Sequence, residues 1–98
     1  MKSAQRVLIT GAGSGLGQAL AHRFAANGAQ VACIDIQFER LEATLATLSG
    51  SGHTAFAADV SNDDSMQAMA DAVLAEWGVP DVLINNAGIA SGGDVLEA

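Results

Sequence analysis

The sequence predicts a doubly wound α/β domain built on a parallel sheet. Short runs rich in branched apolar residues alternate with longer stretches of helical period, and the changes between them fall at Gly, Ser, Asn or Asp. The first such run, Arg6–Thr10 (RVLIT), is continuously apolar after Arg6 rather than alternating, which is the pattern of a strand covered on both faces. Strand, helix, strand in regular succession requires right-handed crossovers between parallel neighbours. Ligands of such folds sit at the carboxyl ends of the strands, which directs attention to the residues after Thr10, Asp35, Ala58 and Asn85.

Each element has its own justification. After strand one, Leu16, Ala19, Leu20, Arg23 and Phe24 fall mostly on one face of a helix predicted over 15–27, with Gly28 as its left-handed C-terminal cap. Gln30–Asp35 (QVACID) is strand two. Phe38, Leu41, Leu45 and Leu48 form the apolar stripe of a second helix, which ends before the flexible Ser49-Gly50-Ser51-Gly52 segment. A weaker third strand is expected over 53–58. In the third helix, Met66, Met69, Ala70, Val73, Leu74 and Trp77 are expected to form a core stripe. Ser61 and Asp64 resemble a capping box for it, and Gly78 and Pro80 stop it. Residues 81–85 (DVLIN) make strand four. The remainder is Gly-rich and ends without a recognisable closing element.

Composition bounds the function. The chain has 98 residues, half of them hydrophobic, which suits one domain or part of a larger one and leaves no room for a second. Four Lys or Arg against eleven Asp or Glu give a net charge of −7, with no basic patch, so nucleic acid and anionic membrane surfaces are disfavoured as partners. The single Cys33 forms no internal disulfide, no stretch resembles a signal peptide or a membrane span, and a cytoplasmic location is expected. There is no tyrosine, and the one lysine is Lys2, so chemistry that needs a tyrosine acid or an interior lysine is excluded from this segment.

The chemistry gathers at the strand ends. Thr10-Gly11-Ala12-Gly13-Ser14-Gly15-Leu16-Gly17 is a glycine turn that opens directly into a helix. Such a turn lets a pyrophosphate approach main-chain N–H groups and the positive helix end. A glycine cluster alone is weak evidence, but Asp35 follows Gly17 by eighteen residues at the end of strand two, where a ribose-binding acid is expected. A carboxylate there accepts from both ribose hydroxyls of an adenosine and repels a 2′-phosphate, so Asp35 favours NAD over NADP. Ser14, Ile36 and Gln37 bring no positive charge; Arg40, a turn into the next helix, is the nearby cation able to swing toward a 2′-phosphate, which keeps NADP as the less favoured alternative.

With these residues in place, TGAGSGLG resembles the TGxxxGxG loop of classical short-chain dehydrogenases/reductases, and Asn85-Asn86-Ala87-Gly88 resembles that family's NNAG motif. The resemblance runs through nearly the whole chain, with Asp59-Val60 between the two motifs. It implies a three-layer Rossmann-type sheet of order 3-2-1-4 and residues 1–98 as the N-terminal part of one NAD(P)-binding domain. It implies that Gly11, Ser14, Gly15, Leu16 and Gly17 line the pyrophosphate and adjoining ribose, that Asp35 holds the adenine ribose, and that Asp59 and the Val60 backbone meet the adenine edge. Asn86 would lie beside the cofactor, Ala87 and Gly88 would admit close approach, and Asn85 would brace the sheet. The family's catalytic Tyr-x-x-x-Lys, Ser and further Asn have no counterpart here, so no catalytic residue is assigned. The expected activity is alcohol–carbonyl interconversion by a longer parent, commonly a homo-oligomer, acting on a small molecule.

Plainer readings stand beside these. A non-catalytic NAD-binding or redox-sensing module needs the same motifs; an open reading frame continuing into Tyr-x-x-x-Lys would exclude it, and an immediate stop codon would exclude the fragment. A flavin- or S-adenosylmethionine-binding protein leaves the Thr10-Gly11 start and NNAG unexplained. Asp59 by itself is also what a loop before a capped helix contains, and Asn85 suits backbone satisfaction at a sheet end. Cys33 reads as a small buried side chain, and His22 and His53 lack partners at metal-ligand spacing. Strand four would be an unprotected margin awaiting cover.

Overall fold

A computed structural model describes residues 4–13 and 15–86. Its elements are β1 (Arg6–Thr10), α1 (Gly15–Ala26), β2 (Gln30–Asp35), α2 (Phe38–Thr47), β3 (Thr54–Ala57), α3 (Asp63–Glu76) and β4 (Val82–Asn85). The four strands form one parallel sheet in the order β3-β2-β1-β4, as the family resemblance implies. β1 is central, pairing Val7 with Val31 on one side and with Val82 on the other.

The two-residue period of the strands divides the core into two layers. Val7, Ile9, Val31 and Cys33 face α1 and α2, where they meet Ala21, Ala25 and Leu41. Leu8, Ala32 and Ile34 face the other way, against Met69 and Val73 of α3. β1 and β2 are buried along nearly their whole length, which explains their continuous apolar runs.

Several local expectations change. The buried face of α1 is Gly17, Ala21 and Ala25, flanked by Leu20 and Phe24, whereas Leu16 is 57% exposed. Small residues at four-residue spacing let the helix lie close to the sheet, and Leu16, Ala19 and Arg23 turn outward. The helix ends at Ala26, and Gly28 takes the left-handed conformation (φ 91°) with its N–H on the Ala25 carbonyl.

The cap of α3 is Asn62 rather than Ser61: Asn62 accepts from the Ser65 N–H, and Ser61 is engaged by Asp59 instead. Leu74 leaves the expected core stripe and is 55% exposed. Leu83 of β4 is likewise 67% exposed, and the two line one open apolar pocket with Leu8, Met66, Met69 and Val73. β3 is shorter than 53–58, because the His53 ring takes a strand-like role with its side chain: Nδ1 accepts from the Val31 N–H at 3.0 Å while Nε2 meets the Ser49 carbonyl. β4 begins at Val82 rather than Asp81, whose carboxylate accepts from the Arg6 N–H at 2.8 Å.

Candidate functional site

The glycine turn leaves the central strand and is held by its neighbours at four points. The Ala12 N–H donates to the Ile34 carbonyl at 3.0 Å, and the Ala12 carbonyl accepts from Thr44 Oγ1 at 3.0 Å. The Gly13 N–H donates to Asp35 Oδ2 at 3.0 Å, and the Gly11 carbonyl accepts from Asn86 Nδ2 at 3.3 Å. The loop is therefore fixed by β2, α2 and the residue following β4.

Two glycines are demanded by close approach. A Cβ on Gly17 would lie on the Gly11 carbonyl oxygen and 2.7 Å from Asn86 Nδ2. A Cβ on Gly13 would lie 2.6 Å from the Arg40 Cβ and 2.8 Å from Asp35 Oδ2. α1 starts at Gly15 directly after the loop, so its first N–H groups lack intrahelical partners and face the strand ends. Gly15 and Leu16 are exposed there; Ser14 lies outside the described residues.

Asp35 is half-buried at the end of β2, with its two carboxylate oxygens anchored separately. Oδ2 accepts from Gly13 and Oδ1 from the Gln37 N–H at 3.2 Å. Beside it an open cleft of about 130 Å³ is lined by Gly11, Asp35, Ile36, Ala58, Asp59 and Val60. Its surface is mainly apolar, and Ile36 (63% exposed) and Val60 (39%) stand over it as large hydrophobic side chains in solvent. Ile36 was not singled out in the sequence; an apolar residue directly after the acidic end of a strand was the available signal. Thr44 was also missed, since a threonine inside a helix gives no pattern of its own.

Asp59 forms the far rim. Its Oδ1 accepts from the Ser61 hydroxyl at 2.6 Å and the Ser61 N–H at 2.9 Å, and these bonds hold its carboxyl below the ordinary range, the hydroxyl contributing most. The Asp59 N–H in turn donates to Ser65 Oγ at 2.9 Å, tying the loop to the start of α3. At the end of β4, Asn85 Oδ1 accepts from Thr10 Oγ1 at 3.0 Å, a link between two strand ends, while Asn86 reaches the glycine loop. Ala87 and Gly88 lie outside the described residues.

The structure thus brings Gly11, Gly15, Leu16, Gly17, Asp35, Asp59, Val60 and Asn86 to one edge of the sheet. Cys33 is not among them: it is fully buried inside β2, and desolvation pushes its thiol up to about 12. Among the described residues no three His, Cys, Asp or Glu side chains group as metal ligands, and no helix is long and apolar enough to cross a membrane.

A central strand running through a glycine turn into a helix, with an anchored carboxylate at the end of the next strand, defines an α/β domain of Rossmann type. The chain belongs to the short chain dehydrogenase family, whose model matches residues 5–98. It is 48% identical over 85 residues to a D-threitol dehydrogenase of Mycolicibacterium smegmatis, covering 85% of this chain and 33% of that protein. Among solved structures it resembles a short chain dehydrogenase/reductase from Burkholderia phymatum in complex with NAD: TM-score 0.81, 38% identity, 97% of this chain and 34% of that one. A metagenomic short-chain oxidoreductase in complex with NADP gives TM-score 0.73 and 36% identity, over 87% of this chain and 39% of its own. The chain therefore spans about a third of the length of these relatives.

Proposed function

We propose that this chain is the N-terminal, cofactor-binding part of a single NAD(P)-binding Rossmann domain, in an oxidoreductase that interconverts an alcohol and a carbonyl. NAD is the preferred cofactor. The observation that carries this reading is Asp35: a carboxylate with both oxygens anchored by backbone N–H groups, half-buried beside an apolar cleft. A carboxylate has about four acceptor positions, so two remain for the paired hydroxyls of a ribose. Its negative charge opposes a 2′-phosphate.

The residues present fit the dinucleotide. Gly11, Gly15, Leu16 and Gly17 surround the helix N-terminus, where main-chain N–H groups suit a pyrophosphate, and Ser14 is assigned to the same site by the family motif alone. The cleft between Ile36 and Val60 suits a flat adenine, with Asp59 at its edge to accept from the amino group. Asn86 secures the loop from the β4 side; Ala87 and Gly88 are assigned to the cofactor site by the family motif alone. When bound, the nicotinamide supplies a hydride acceptor or donor. The family's tyrosine acid/base has no counterpart in this sequence, so no proton-transfer group is assigned here. The D-threitol dehydrogenase relative supports a small polyhydroxylated alcohol as substrate class; a cytoplasmic, homo-oligomeric parent enters the proposal through the family resemblance alone.

The test titrates both dinucleotides against the intact natural protein and its Asp35→Ala variant. NAD is expected to bind more tightly than NADP to the natural protein. The variant should lose about 1–3 kcal/mol of NAD binding, the scale of a charged hydrogen-bond partner. Tighter NADP binding by the natural protein, or an unchanged NAD affinity in the variant, would refute the assignment.

A further inference from the structure

Among the described residues, the buried polar or charged side chains are Thr10 and Thr44. Thr10 joins two strand ends through Asn85. Thr44 lies on α2, is fully buried, and has two carbonyls within reach of its single hydroxyl proton: Arg40 one turn back at 3.1 Å, and Ala12 of the glycine loop at 3.0 Å. The Arg40 carbonyl would suffice to satisfy a threonine inside a helix. The bond to Ala12 is the one that leaves the helix.

That bond acts on one particular peptide unit. The Ala12 carbonyl and the Gly13 N–H belong to the same planar group, so fixing the direction of one fixes the other. Thr44 holds the carbonyl end, and Asp35 Oδ2 accepts from the N–H end at 3.0 Å. Gly13 tightens the arrangement, since a Cβ there would collide with both Arg40 and Asp35. The plane of the Asp35 carboxylate is thereby set from two sides, by Gly13 and by Gln37.

We infer that Thr44 is a positioning residue for cofactor choice: its hydroxyl orients the Ala12–Gly13 peptide, and that peptide aims the Asp35 carboxylate at the ribose. The inference rests on the reading of Asp35 given above. Without the hydroxyl, the buried Ala12 carbonyl loses its donor, the peptide is free to turn, and Asp35 loses one of its two anchors. NAD, gripped through that carboxylate, suffers. NADP, which the carboxylate opposes, does not suffer in proportion.

The experiment compares Thr44→Val, which keeps shape and removes the hydroxyl, with Thr44→Ser, which keeps the hydroxyl and removes a methyl, both in the intact natural protein. NAD and NADP affinities are measured, together with hydrogen exchange at the Gly13 amide in the free protein, with the Leu8 amide of β1 as a reference for global opening. Thr44→Val should weaken NAD about tenfold, the scale of one buried hydrogen-bond partner lost, and change NADP much less. It should also speed exchange at Gly13 relative to Leu8. Thr44→Ser should behave as the natural protein in both respects. A Thr44→Val protein with natural NAD affinity, or one whose NAD and NADP affinities fall together, overturns the inference and leaves the Asp35 reading standing. So does a Thr44→Ser protein that loses its selectivity, which marks a packing role for the methyl. A natural protein that binds neither dinucleotide overturns the parent reading, and this inference with it.

Discussion

Replacing Gly17 by alanine sets two effects against each other. Gly17 is buried within α1, where alanine is normally the better residue by about 1 kcal/mol. On propensity alone the substitution stabilises. The structure places the added methyl on the Gly11 carbonyl oxygen and 2.7 Å from Asn86 Nδ2. The first obstacle is backbone and gives way only if helix and loop separate, an overpacking cost of about 1–3 kcal/mol. The second is the group that donates to the Gly11 carbonyl at 3.3 Å, and losing that bond costs about 1 kcal/mol more. The clash wins, with a net destabilisation of about 1–3 kcal/mol. Urea unfolding of the intact protein, read as a shift in midpoint at constant slope, measures it. Dinucleotide titration of the same variant should show weakened binding, because the loop and helix end have moved apart. A Gly17→Ala protein that is more stable than the natural one and binds as well would refute the close-packing argument.

Two further outcomes test the local electrostatics. Cys33, with its thiol pushed up to about 12 by burial, should resist alkylation in the native protein at pH 8 and react only on unfolding; stoichiometric labelling of the native state would contradict its placement. Because the folded value is raised, the thiol's contribution to stability is complete below the unfolded value of 9.0 and is lost as pH climbs from there toward about 12. For Asp59, whose carboxyl is held low chiefly by the Ser61 hydroxyl, Ser61→Ala should move its NMR titration upward. Being lowered in the folded state, this carboxylate stabilises above its unfolded value, and the effect disappears as pH falls through its folded one. No movement on Ser61→Ala would show that the hydroxyl is not the cause.

The parts of this protein that were legible beforehand share a cause. β1 and β2 are covered on both faces, so burial writes itself as an unbroken apolar run, and their boundaries match the sequence reading. α1 was legible in extent and misread in orientation. Its buried face is Gly17, Ala21 and Ala25, and small residues register weakly as hydrophobic although they allow the closest packing. The cap of α3 slipped by one residue because Ser61 and Asn62 are both competent caps. Only the Asp59 carboxylate, by engaging Ser61, decides between them. Leu74 has the right spacing for a core stripe, yet spacing cannot say how far the opposing sheet extends.

The candidate site divides in the same way. Glycines between strand and helix, an aspartate ending the next strand, and an Asn-Asn pair ending the fourth are local facts of the chain, and topology alone brings them to one edge. The contacts that tune the site are not local: Thr44 to Ala12 spans 32 residues, Asp35 to Gly13 spans 22, and Asn86 to Gly11 spans 75. The sequence by itself determined the order of elements, the parallel sheet and the residue types at the strand ends, because periodicity and turn chemistry act over a few neighbours. Tertiary structure decided which carbonyl each donor serves, which face of α1 is buried, and how Asp35 is held. Those depend on distances between segments far apart in the chain, which no local pattern encodes.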